Sequence, residues 1–226
     1  WQDAEDQTQL PLHISCAFQD YELATRISEI IQLKVFQDMS QWQEAGLKLL
    51  PISINAAPVE FLRDNYAETL LNRLAQFKIP HPLIEIEITE QSLSEHGSDY
   101  VIRALNLLKQ SGLKISLDDF GTGHSSLTRL RDYPIDCLKI DRNFIKNIPD
   151  NPSDLAIVKA ISQIGASIAL DILVEGIESS EQVEVLKACD CSTGQGFYFY
   201  HPLIFQEATP LLNPVADAAQ PLISSA

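Results

Sequence analysis

Two adjacent carboxylates, Asp118 and Asp119, end an apolar run that starts at Leu113, and a Gly121-Thr122-Gly123 turn follows at once. Like charges side by side at a strand tip are costly unless a cation lies between them. Five further apolar runs each carry a polar residue within them or at their end: Asn55, Glu87, Lys139, Glu175 and Gln195. The oxygens of Asn55, Glu87, Asp118 and Asp119 are hard donors that suit Mg2+ or Mn2+ rather than zinc. With Asp118 bridging two such ions and Asp119 serving the second, both the attacking and the leaving oxygen of a phosphodiester can be stabilised. Lys139 would add a fixed positive charge able to hold a water or a phosphoryl oxygen.

Each residue has a plainer reading on its own. One Asp of the pair can cap a helix. Glu87 alternates with Glu85, so both could face solvent on an edge strand. Lys139 could snorkel outward, Asn55 could sit in a turn, and Gln195 could pair with backbone. One shared site accounts for all six runs at once.

The elements that would bring these residues together are repeated βα units. Helical periodicity runs from Leu23 to Met39 and ends near Trp42 and Gly46. Strand patterns then fall at 49–55, 83–89, 113–119, 136–141, 169–175 and 194–199. Helical patterns lie between them at 60–77, 99–111, 125–131, 153–168 and 180–189, with a last one at 203–212. Asn151-Pro152-Ser153 and Ser179-Ser180-Glu181 are helix-start signals. Such alternation builds a parallel sheet, either open and doubly wound or closed as a (β/α)8 barrel. No strand is followed by G-x-G-x-x-G, which disfavours the doubly wound dinucleotide fold. A barrel gathers groups from distant sequence at the C-terminal ends of its strands. The expected fold is α/β, a TIM-like barrel lacking its first strands, with one domain over residues 1–212 and a disordered tail over 213–226.

The net charge of −15 argues against a nucleic-acid duplex or an anionic membrane surface as partner. An anionic ligand would need metal ions to supply the missing positive charge. Cys16, Cys137, Cys189 and Cys191 have no zinc or disulfide spacing and read as reduced thiols in a cytoplasmic protein. The sequence opens on Trp1 rather than Met, so we expect a longer parent, whose upstream part could carry a membrane tether.

At this point the motifs resemble the EAL-domain family of bacterial cyclic di-GMP phosphodiesterases. They are Ile54-Asn55, Glu87-Ile88-Thr89-Glu90, Asp118-Asp119-Phe120-Gly121-Thr122-Gly123 with His124-Ser125-Ser126-Leu127, Leu138-Lys139-Ile140-Asp141-Arg142, Glu175-Gly176-Ile177-Glu178, Gln195-Gly196-Phe197 and Pro202-Leu203, in family order. The resemblance implies a barrel holding two Mg2+ or Mn2+ ions and hydrolysis of cyclic di-GMP to linear pGpG. It implies Asn55, Glu87 and Asp118 as ligands of one ion, and Asp118 with Asp119 as ligands of the other. Glu175 and Lys139 match the residues that position or activate the attacking water, and Gln195 would support that water. Thr122, Asp141, Glu178 and Pro202 would contact substrate or order the loops. It also implies a homodimer and an upstream GGDEF or sensory domain.

Three departures from the family pattern bear on these expectations. The Glu-Ala-Leu segment that names the family is not in this sequence, and Trp1 aligns with the Trp that follows it. The first two strands and one metal ligand would then lie upstream or not exist. His124 replaces a Tyr, and His201 replaces the usual Arg or Lys before Pro202. The alternative to an enzyme is a catalytically inactive receptor or interaction module for cyclic di-GMP.

Overall fold

The structure, a computed structural model, describes residues 17, 20–94, 98–121, 130 and 133–212. Residues 1–12, Thr122, His124, the expected helix at 125–131 apart from Leu130, and the expected tail at 213–226 lie outside the described residues.

Asp20 starts α1 (Tyr21–Glu44) by accepting the Leu23 amide at 2.9 Å. Strand β1 (Ile52–Asn55) follows, then a 3-10 turn (Pro58–Leu62) and α2 (Tyr66–Gln76). Strand β2 (Ile84–Thr89) leads into α3 (Glu90–Ser94) and α4 (Ser98–Gln110). Next come β3 (Lys114–Phe120), β4 (Cys137–Ile140), α5 (Pro152–Ile168), β5 (Asp171–Val174), α6 (Ser180–Lys187), β6 (Thr193–Gly194) and α7 (Phe205–Ala208).

The sheet order is β1-β2-β3-β4-β5-β6, every pair parallel. A doubly wound sheet reverses direction at a switch point, and this one does not. Consecutive parallel neighbours with helices between them are the arc of a TIM-like barrel, here six strands long among the described residues. No described helix is long and apolar enough to cross a membrane.

Alternation along the strands sets the two faces of this arc. Ile54, Ile86, Ile88, Leu117, Leu138, Ile140 and Val174 are buried and point to the helix layer. There they join Phe36, Met39, Leu70, Leu74, Leu105, Leu108 and Val158 in one core. The opposite, concave face is polar. The register aligns Asn55 with Glu87, Glu87 with Ser116, and Ser116 with Cys137. Lys139 aligns with Leu173, so Asp118, Lys139 and Glu175 fall on the same face by alternation. β2 lies between β1 and β3, which removes the edge-strand reading of Glu87.

Three elements differ from expectation. The helix expected over 60–77 splits, because the Glu60 carboxylate caps its own turn at the Ala57 amide and Arg63 is extended with ψ 124°. The last pattern, 203–212, shortens to α7 plus a 3-10 turn, Thr209–Leu212. The strand expected over 194–199 ends at Gly194. Gly196 lies against the Ile177 backbone, and Tyr198 donates its amide to the Ile177 carbonyl at 3.0 Å, so the chain turns instead of extending. A Cβ at Gly196 would run into Ile177 backbone atoms that cannot swing aside. Gly196→Ala should therefore lower stability by about 1–3 kcal/mol, read from the urea midpoint at unchanged m-value.

Candidate functional site

Lys139 sits in the middle of the concave face and is 3% exposed. Its ammonium donates to Glu87 Oε1 at 2.8 Å, stands 2.5 Å from Glu175 Oε1, and lies 3.7 Å from Asp118 Oδ1. Three strands and the residue after a fourth thus meet at one nitrogen. Burial alone would depress the Lys139 pKa, but the hydrogen bonds to Glu175 and Glu87 reverse this and hold the ammonium protonated. Burial also raises the Glu175 pKa, with Lys139 opposing and the charges of Asp118 and Glu87 adding to the rise. Gln195 Nε2 donates to the same Glu175 oxygen at 2.8 Å, reaching it from just beyond β6.

The Asp pair owes its placement to an irregularity. Register shifts between Leu117 and Phe120, and Asp119 has φ 56°. The bend turns successive carboxylates away from strict alternation, and the Asp119 amide donates to Asp118 Oδ1 at 2.9 Å. Desolvation, then the charges of Asp118 and Asp141, push the Asp119 pKa up. Asn55 ends β1 in register with Glu87 and is exposed.

Beside this row lies a cleft of about 580 Å3. Its lining includes Asp119, Glu175, Gln195 and Pro202, together with Arg142 and His201. Asp141 and Glu178 also line it. Asp141 caps the 3-10 turn Arg142–Phe144 by accepting the Asn143 amide at 2.9 Å. Arg142 reaches Glu178 at 3.8 Å. Gly176, at φ 70°, fits where a Cβ would strike Arg142, so that loop can close on the cleft only as glycine. Gln182 fixes the start of α6 by accepting the Glu178 and Ser179 amides at 2.7 and 3.1 Å and donating to the Ile145 carbonyl at 3.0 Å.

Glu87, Asp118, Lys139, Glu175 and Gln195 are therefore joined by direct contacts, while Asp119, Asp141, Glu178 and Pro202 line the neighbouring cleft. Arg142 and Phe197, quoted in the motifs without a role, and Tyr200, which sequence reasoning did not name, also line it. The alternating run Phe197-Tyr198-Phe199-Tyr200 reads as a strand, and only the turn on Ile177 directs it to the cleft.

The donor set fits a hard divalent cation in kind, being carboxylate and amide oxygen only. Among the described residues no three acid, His or Cys side chains stand together in an arrangement that could hold a metal ion as it is, and Lys139 stands among the acids instead. Removing that ammonium would leave the buried Glu87 carboxylate facing those of Asp118 and Glu175, both largely shielded from solvent. Without divalent cation, Lys139→Met should cost about 3–5 kcal/mol near neutral pH. The deficit should shrink as pH falls, because the unpaired acids take up protons. Urea unfolding at several pH values reads both results.

Three comparisons with known proteins bear on this site. The family model described as EAL domain matches residues 1–202. The chain is 37% identical over 186 residues, 82% of its length and 27% of the relative's, to Uncharacterized protein sll1895 of Synechocystis sp.. It is 32% identical over 200 residues, 88% of its length and 25% of the relative's, to Cyclic di-GMP phosphodiesterase NbdA of Pseudomonas aeruginosa. It thus spans about a quarter of the length of these curated relatives. The solved structure described as PaMucR Phosphodiesterase, c-di-GMP complex, superposes with a TM-score of 0.82 at 29% identity, covering 90% of this chain and 82% of that one.

Proposed function

The chain belongs to the EAL domain family, and from that premise we propose that it hydrolyses cyclic di-GMP to linear pGpG as part of a longer signalling protein. The convergence of Glu87, Asp118 and Glu175 on Lys139, beside a cleft that fits a small nucleotide, carries this reading. Asn55, Glu87, Asp118 and Asp119 would hold two Mg2+ or Mn2+ ions. Such ions, when bound, polarise the phosphoryl group and neutralise charge as the bond breaks.

The chain's own residues supply the rest. Lys139 donates hydrogen bonds to two carboxylates and stays protonated, so it orients groups and does not act as base. Glu175 is the group left to accept a proton from the attacking water as a new P–O bond forms. Gln195 holds the Glu175 carboxylate in place. The departing ribose oxygen takes up a proton from solvent water as its own bond to phosphorus breaks, giving the linear dinucleotide, and Glu175 returns its proton to solvent. Arg142 offers the nucleotide positive charge in a cleft otherwise rich in acid, and His201 lines the cleft beside it.

A second reading is a cyclic di-GMP receptor without turnover. It draws on the direct Lys139 pairs, which already give Glu87 and Glu175 a shared cationic partner. One assay separates the two. The full-length protein with Mg2+ or Mn2+ should convert cyclic di-GMP to pGpG, and Asp118→Ala should lower kcat by at least about 100-fold. Nucleotide binding with no turnover above that variant would leave the receptor.

A further inference from the structure

The cleft wall at Tyr200, His201 and Pro202 has little of its own to hold it. The Tyr200 amide reaches the Gly196 carbonyl at 3.3 Å, and the His201 ring lies 4.4 Å from that of Phe197. Tyr200, Leu203 and Ile204 are exposed, and Pro202 and Leu203 make no hydrogen bond to other described residues. Upstream, the segment is fastened where Tyr198 meets Ile177. Downstream, the next fixed point is α7.

That point is well built. Phe205 stacks on Trp42 of α1 with ring centroids 5.2 Å apart and planes within 8°. The Trp42 indole Nε1 donates to Thr209 Oγ1 at 2.8 Å, across 167 positions of sequence. The Thr209 hydroxyl in turn donates to the Phe205 carbonyl at 2.6 Å. The Lys34 ammonium, paired with Asp38 at 2.8 Å, lies 6.0 Å from the centre of the Phe205 ring. α1 precedes β1 and α7 follows β6, so this contact ties the first described helix to the last.

We propose that Trp42, acting through Phe205 and Thr209, is a positioning residue for the nucleotide: it fixes the 200–202 wall opposite the acid row. The proposal rests on the cyclic di-GMP reading for its ligand but not for its geometry. Glu87, Asp118, Lys139 and Glu175 are held by β2–β5 and by one another, without Trp42. Releasing the clamp should therefore loosen the wall and leave the chemistry in place. A wall that must be ordered anew at each binding event weakens affinity.

The test uses the full-length protein and its Trp42→Leu, Trp42→Phe and Thr209→Val variants. Trp42→Leu should raise KM for cyclic di-GMP about three- to tenfold with kcat changed less than about twofold. Trp42→Phe, which keeps a ring but not the indole donor, should recover part of the loss, and Thr209→Val should resemble it. Amide hydrogen exchange should speed up at Tyr200, whose amide is bonded to Gly196, and at Ala208, bonded to Ile204, while Val158 in α5 stays protected. A fall in kcat as large as the rise in KM, or unchanged exchange at Tyr200, would overturn the proposal. If the parent protein turns over no cyclic di-GMP, the functional reading fails separately, and exchange alone decides whether Trp42 holds the wall.

Discussion

One buried ammonium organises the concave face of this sheet. Lys139 meets Glu87, Asp118 and Glu175 where a solvated barrel mouth or an apolar filling would otherwise lie. Separately, each of those carboxylates would resist burial. Together with Lys139 they form a network in which one positive charge is shared among three carboxylates and two of the acids are hydrogen-bonded. Such a cluster is weak evidence for stability, since apolar side chains of similar volume often do as well. Its position at the C-terminal ends of parallel strands is what makes it a candidate site.

The parallel sheet supplies that position. Because neighbouring strands are consecutive in sequence, a row of side chains in register draws on β1 through β5 with no long excursion. The outward alternating residues anchor the strands to the helices, and the inward ones are left free for chemistry. Where a carboxylate pair was needed, the register breaks and Asp119 takes a positive φ. Asp119 lines the cleft as a result, although it stands next to Asp118 in sequence.

Much of this was legible in the residues themselves. Period-two runs carrying Asn55, Glu87 and Asp118 mark both the strands and their polar face, because a strand with one apolar face against the helices must alternate. The opening helix and the caps at Asn151 and Ser179 follow local rules that tertiary structure did not override. The cleft wall was not legible. Phe197 to Tyr200 has strand propensity, and what bends it is the close approach of Gly196 to Ile177, a contact between separate segments of the chain. Similarly, the helical pattern over 60–77 gave no sign that Glu60 would cap its own turn and free Arg63 to extend. Trp42 looked like a helix terminator and is instead a partner of Phe205 and Thr209.

The central claim is that the acid row is a cation-dependent phosphodiester site and not only an ion-pair cluster. Calorimetric titration of cyclic di-GMP into the full-length protein, with Mn2+ and then with chelator, tests it most directly, with Asp118→Asn alongside. The account predicts binding that tightens with Mn2+ in the parent and loses that response in Asp118→Asn. Binding indifferent to the cation, or the same in both proteins, would contradict it.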